Sequence, residues 1–146
     1  MLKKILYPTD FSDVAEKALE YVEALKEAGA KEVVVLHVFD SRTLDYLNRY
    51  VSTYADGMKI TEENKKSTVK LMQEIEQRLE KRGFVATSRL AEGVPAFEIM
   101  KVAEEEKVSV VVIGSHGMSN VKEMLLGSVS ETVIRKSKMP VVVVKR

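Results

Sequence analysis

The chain has 146 residues, 45% of them hydrophobic and 6% aromatic, and its 23 Lys and Arg against 22 Asp and Glu give a formal net charge of +1. That length fits one domain over 1–146 with an aliphatic core. Near-zero net charge excludes the basic field of a nucleic-acid-binding protein. The absence of cysteine excludes disulfide scaffolds, thiolate metal centres and thiol nucleophiles, and it fits a reducing compartment.

Leu2 to Tyr7 is a short apolar run closed by Pro8-Thr9-Asp10, which predicts a first strand running into a polar loop. The apolar stretch is too short for the core of a signal peptide, and no run of about 18 apolar residues occurs, so no membrane partner and a soluble cytoplasmic protein are expected. From Ser12, a candidate N-cap, Val14, Ala18, Val22 and Leu25 recur with helical period up to a stop at Gly29. Glu32 to Phe39 contains Val33-Val34-Val35-Leu36-His37-Val38, the near-continuous run of a strand covered on both faces. Within it His37 is expected to be a satisfied core residue.

Asp40 to Lys59 shows no clean period and is expected to be a long connection, with room for a short helix of its own, either functional or a surface insertion. Glu62 to Arg82 predicts an amphipathic helix with Val69, Met72, Ile75 and Leu79 on its buried stripe, closed by Gly83. Phe84 to Leu90 is a more polar strand suited to a sheet edge. Gly93-Val94-Pro95 starts a further helix with Pro95 in its first turn and Ile99, Met100 and Ala103 facing inward. Val108 to Ile113 is again an apolar strand. A short helix from about Val129 to Ser137 and the strand Val141-Val142-Val143-Val144 complete the chain. This alternation predicts an open, doubly wound α/β fold with a five-stranded parallel sheet. Four valines at an outer edge would be an aggregation liability unless paired, and a second copy of the chain is the economical partner.

Standard motifs are missing. No glycine precedes a lysine, no two glycines lie two apart, and His37 and His116 are the only histidines, which removes the Walker A loop, the G-x-G-x-x-G fingerprint and zinc-peptidase spacing. What remains is Gly114-Ser115-His116-Gly117, then nine residues from Met118 to Leu126, then Gly127-Ser128. Two readings are open. Gly114 and Gly117 can keep side chains away from a phosphate while the helix opened by Gly127-Ser128 presents free N–H groups and its positive dipole end. Alternatively these are ordinary turn glycines, and Ser128-Val129-Ser130-Glu131 forms a capping box that needs no ligand. Val121, Met124 and Leu125, at one-turn spacing, either close over a ligand or pack the loop. The position of loops at the carboxyl edge of a parallel sheet favours the ligand reading.

The spacing G-x-x-G-x9-G-[S/T], the first-strand exit Pro8-Thr9-Asp10, the His37-Val38 ending, the Gly93-x-Pro95 helix start and Pro140-Val141-Val142-Val143-Val144 together resemble the ATP-binding branch of the universal stress protein family along the whole chain. The resemblance implies a Rossmann-like, adenine nucleotide alpha hydrolase-like sheet in the order 3-2-1-4-5, with the cleft between the ends of the first and fourth strands. It also implies that Pro8, Thr9 and Asp10 flank ribose and adenine and that the Val38 backbone meets the adenine edge. Gly114, Ser115, His116, Gly117, Met118, Ser119, Asn120, Gly127, Ser128, Val129 and Ser130 would hold the phosphates. ATP or another adenine nucleotide, with Mg or Mn bound through the phosphates, is the implied cofactor, and a homodimer through Val141 to Val144 the implied assembly. The function expected is nucleotide-dependent regulation in a stress response. The alternatives are a slow ATPase or adenylyl-transferring enzyme and an interaction module that binds no nucleotide. For His116 the loop position is expected to face solvent, and Asp10 is expected to accept hydrogen bonds without acting as a catalytic acid.

Overall fold

The computed structural model describes residues 1–41, 54–117 and 126–146, residues 54–61 by their backbone alone. Its elements are β1 (Lys4–Pro8), α1 (Asp13–Ala24), β2 (Glu32–Asp40), α2 (Tyr54–Lys81), β3 (Val85–Gly93), α3 (Pro95–Glu105), β4 (Val110–Gly114), α4 (Ser128–Lys136) and β5 (Val141–Val144). All strand pairs are parallel, and the sheet order is β3-β2-β1-β4-β5.

The continuous apolar strands are explained by two cores. Side chains alternate across a strand, so Ile5, Tyr7, Val33, Val35, Val110 and Val112 meet Ala18, Leu19 and Val22 of α1 and Met72 and Leu79 of α2. Leu6, Val34, Leu36, Val111 and Ile113 meet Ala96, Ile99, Val102 and Ala103 of α3 and Val133 of α4. A strand buried on both faces needs apolar residues at both parities. All five residues of β4 are buried. β3 alternates between exposed and half-buried residues and lies at an edge, as its polarity predicts. β5 takes the opposite edge.

Several boundaries differ from the sequence expectation. β1 runs from Lys4 to Pro8, and α1 ends at Ala24, with turns continuing to Gly29, whose φ of +98° accounts for the glycine there. Helix α2 begins at Tyr54, well before Glu62, so part of the expected 40–59 connection is helical, while 42–53 lies outside the described residues. Val69 is 39% exposed and Thr68 is buried in its place. The inner stripe is therefore Thr68, Met72, Ile75 and Leu79, spaced by four, three and four, as the helical period requires. In α3, Ala96 and Val102 join Ile99 and Ala103, while Met100 is only half-buried. β3 and β4 each extend to a glycine, Gly93 and Gly114, and β4 begins at Val110.

Candidate functional site

The sheet order places β1 beside β4, and the chain leaves them in opposite directions. After β1 it enters α1 on one face, and after β4 it reaches α4 on the other. Loops that part in this way leave a crevice at the carboxyl ends of the two strands, the topological switch point of the sheet.

The β1 side of the crevice is a tight turn. Thr9 N–H donates to the Leu36 carbonyl at 2.8 Å, Phe11 N–H donates to Thr9 Oγ1 at 3.0 Å, and Ser12 N–H donates to Asp10 Oδ1 at 3.0 Å. This last bond is an Asx turn that feeds α1. Ser12 caps the helix as predicted, its Oγ accepting from Ala15 N–H at 3.2 Å. Phe11 has a φ of +64°. Below the turn, Tyr7 donates its hydroxyl to the Ala15 carbonyl at 2.6 Å. Burial pushes the Tyr7 phenol up to about 12, so it stays neutral and keeps donating across the physiological range.

The β4 side is organised by the Ser115 carbonyl. It accepts from Gly127 N–H at 2.7 Å and from Ser130 Oγ at 2.6 Å, which ties the start of α4 to the end of β4. Ser115 N–H continues the ladder to the Val144 carbonyl at 2.8 Å, and Ser115 Oγ lies 2.7 Å from His116 Nδ1. Ser115 and Ser130 are both buried.

Helix α4 departs from the capping-box expectation. Its N-cap is Gly127, with no side-chain cap bond, and Ser128 is already the first helical residue. Ser130 Oγ points back to the carbonyls of Ser115 and Gly127. The opening turn of α4 is thus left without the side-chain acceptor that a capped helix supplies to its first N–H groups.

The glycines are explained by close approach, and each meets a different neighbour. A Cβ on Gly114 would stand 2.8 Å from Val14 Cγ1 and 3.2 Å from the Val14 carbonyl carbon, so this glycine admits α1 against β4. A Cβ on Gly117 would stand 2.7 Å from Asp10 Oδ2, which puts the two sides of the crevice in direct apposition. A Cβ on Gly127 would stand 3.2 Å from the Ser115 carbonyl oxygen.

The structure therefore brings Pro8, Thr9 and Asp10 together with Gly114, Ser115, His116, Gly117, Gly127 and Ser128 to Ser130 at one edge. Val38 is half-buried on the adjacent strand, paired with Ala91. Met118, Ser119 and Asn120, and the loop positions Val121, Met124 and Leu125, lie outside the described residues. His116 is half-buried and engaged by Ser115, against the expected solvent exposure, and His37 is satisfied as expected, through the Thr9 carbonyl, but only half-buried. Sequence reading missed Phe11, whose left-handed backbone follows an ordinary-looking Asp10, and no residue-type signal marks it. Among the described residues no group of three His, Cys, Asp or Glu is placed to hold a metal ion, and no helix is long and apolar enough to cross a membrane.

Residues 1–145 match the model of the universal stress protein family. The universal stress protein MJ0577 of Methanocaldococcus jannaschii is 45% identical over 160 residues, covering 100% of this chain and 96% of that protein. The solved structure of the hypothetical protein MJ0577 superimposes with a TM-score of 0.87 at 44% identity, covering 100% of this chain and 97% of the other. More distant structures share the fold: a universal stress protein in complex with cAMP, TM-score 0.68 at 22% identity over 99% of this chain and 97% of the other, and one from Archaeoglobus fulgidus in complex with dAMP, TM-score 0.63 at 21% identity over 99% and 98%. The chain belongs to the universal stress protein family.

Proposed function

We propose that this chain binds an adenine nucleotide, ATP with a divalent cation, in the crevice between β1 and β4, and that occupancy regulates its interactions in a cytoplasmic stress response. The observation that carries this reading is the start of α4. A helix N-terminus without a side-chain cap, tied through the Ser115 carbonyl to the end of β4 and set opposite the Asp10 turn, suits a phosphate chain on one side and a ribose on the other. Relatives of the same fold that hold cAMP and dAMP support an adenine nucleotide as the ligand class.

In this reading Pro8, Thr9 and Asp10 flank the ribose and base, Asp10 offering Oδ2 while Oδ1 stays on Ser12, and the Val38 backbone meets the adenine edge. Backbone N–H groups of Ser128, Val129 and Ser130 face the phosphates together with the His116–Gly117 turn, while Ser115 and Gly127, whose N–H groups are donated to Val144 and Ser115, shape the loop around them. Mg or Mn fits as an ion carried by phosphate oxygens and water, since magnesium keeps several waters and needs few protein ligands. Local backbone dipoles hold the anion, consistent with a net charge of only +1. A second copy joins through β5.

Ligand binding to the native state raises its stability. Protein stripped of small molecules is expected to melt at higher temperature with ATP and Mg than without, by an amount that grows with ATP concentration. No shift at millimolar ATP would refute the reading.

A further inference from the structure

His37 stands at the rim of the crevice, on β2 one residue past Leu36. Its Nδ1 lies 2.8 Å from the Thr9 carbonyl oxygen. A carbonyl only accepts, so Nδ1 carries the proton and donates, and this fixes the ring's orientation and tautomer. Strand β2 thus holds the Thr9 residue at both ends, its N–H through the Leu36 carbonyl and its C=O through His37. One face of the imidazole stacks on Phe11, with ring centroids 4.9 Å apart and planes 28° apart. Phe39 meets the same ring edge-on at 4.9 Å and 87°.

Phe11 needs such a hold. A bulky residue at φ +64° occupies a sparsely populated backbone region, and it stays there only when its surroundings enforce it. The residue between the two contacts of His37 is Asp10, whose Oδ2 lies 2.7 Å from where a Cβ on Gly117 would stand. We infer that His37 is a positioning residue of the crevice: by its hydrogen bond to Thr9, with the Phe11 stack serving only to orient the ring, it locks the 9–11 turn and so sets the Asp10 carboxylate against Gly117. The consequence for ligand affinity rests on the nucleotide reading above, whereas the lock itself does not.

Two substitutions separate the donor from the ring. His37→Phe keeps an aromatic ring for Phe11 but has no donor. His37→Asn loses the ring but places an amide nitrogen on Cγ, where Nδ1 is attached. Calorimetric titration with ATP and Mg is expected to show affinity reduced about tenfold in His37→Phe, the effect of an acceptor left without its donor. His37→Asn is expected to restore affinity to within about threefold of wild type. Hydrogen exchange of the Phe11 and Ser12 amides, read without ligand, is expected to accelerate in His37→Phe and not in His37→Asn. Wild-type affinity in His37→Phe, or equal losses in both variants, overturns the inference. If wild type itself takes up no ATP, the nucleotide reading fails alone, and the exchange rates still decide: acceleration confined to His37→Phe supports the lock, and unchanged rates refute it. Should His37→Phe not fold, His37→Gln, whose amide reaches the Nε2 position instead, takes its place with the same expectations.

Discussion

Gly114 and Gly117 are three residues apart, and their replacements are expected to behave differently. Alanine at 114 would push a methyl group against the side chain and backbone of Val14, two packed elements that cannot give way cheaply, so Gly114→Ala is expected to cost about 1–3 kcal/mol of stability in denaturant titrations. Alanine at 117 would meet only a carboxylate oxygen of Asp10 and is expected to leave stability within about 0.5 kcal/mol of wild type while lowering nucleotide affinity. Equal effects on stability would contradict the roles assigned. The glycine spacing was visible in the sequence, but the partner of each glycine was not, because Val14 and Asp10 reach these positions only through the tertiary fold. Ser130 carries the same lesson. In the sequence it lies inside a candidate capping box opened by Ser128, and in three dimensions its hydroxyl serves the Ser115 carbonyl.

At the level of elements, helix α3 ends in Glu104, Glu105 and Glu106 with no base in its last turn, an unfavourable arrangement at the negative end of a helix dipole. Cations arrive from elsewhere: Lys4 of β1 reaches Glu106 at 3.0 Å, Arg89 of β3 reaches Glu105 at 2.7 Å and Glu106 at 3.3 Å, and Lys138, ahead of β5, reaches Glu104 at 3.2 Å. The hydrogen bond from Lys4 holds the Glu106 carboxyl below its ordinary value of 4.5, with Arg89 adding to the effect. A carboxylate with a lowered value in the fold stabilises the native state above the unfolded value and loses that contribution as the pH falls through the lowered one. Melting between about pH 6 and pH 3 is therefore expected to fall more steeply in wild type than in Glu106→Gln, by at most about 1 kcal/mol for this partly exposed cluster. Parallel slopes would show that the pairs contribute nothing. Sequence periodicity revealed the strands and most helices because each packs a regular stripe. It misplaced Val69 for Thr68, since hydrophobicity and phase disagree there and phase prevails. It also missed the start of α2, where Tyr54 to Thr61 carries no apolar stripe.

For the whole molecule, two edges remain after the five strands are paired. β3 mixes polar residues into its exposed positions, whereas β5 is four valines, with Val142 37% exposed. Val111 and Ser115 donate to the carbonyls of Pro140 and Val144, so the even-numbered peptide groups of β5 face β4 and the N–H groups of Val141 and Val143 face outward. Proline is tolerated at an edge where its missing N–H would have pointed away from the sheet. Under the proposed pairing through β5, wild type is expected to run as a dimer by light scattering and Val143→Pro to fold yet run as a monomer at the same concentration. A wild-type monomer would refute the dimer, and a dimer that survives this substitution would place the contact elsewhere. The strand order followed from a family resemblance, and the edge position of β3 from its composition.

The nucleotide crevice is tested most directly by native mass spectrometry of the protein as purified, followed by the same measurement after stripping and incubation with ATP and Mg. The arrangement of Asp10, Gly117 and the uncapped start of α4 predicts a mass increase of one adenine nucleotide per chain, lost in Gly127→Val because a side chain there would collide with the Ser115 carbonyl. A chain that carries no nucleotide and takes up none on incubation would contradict it.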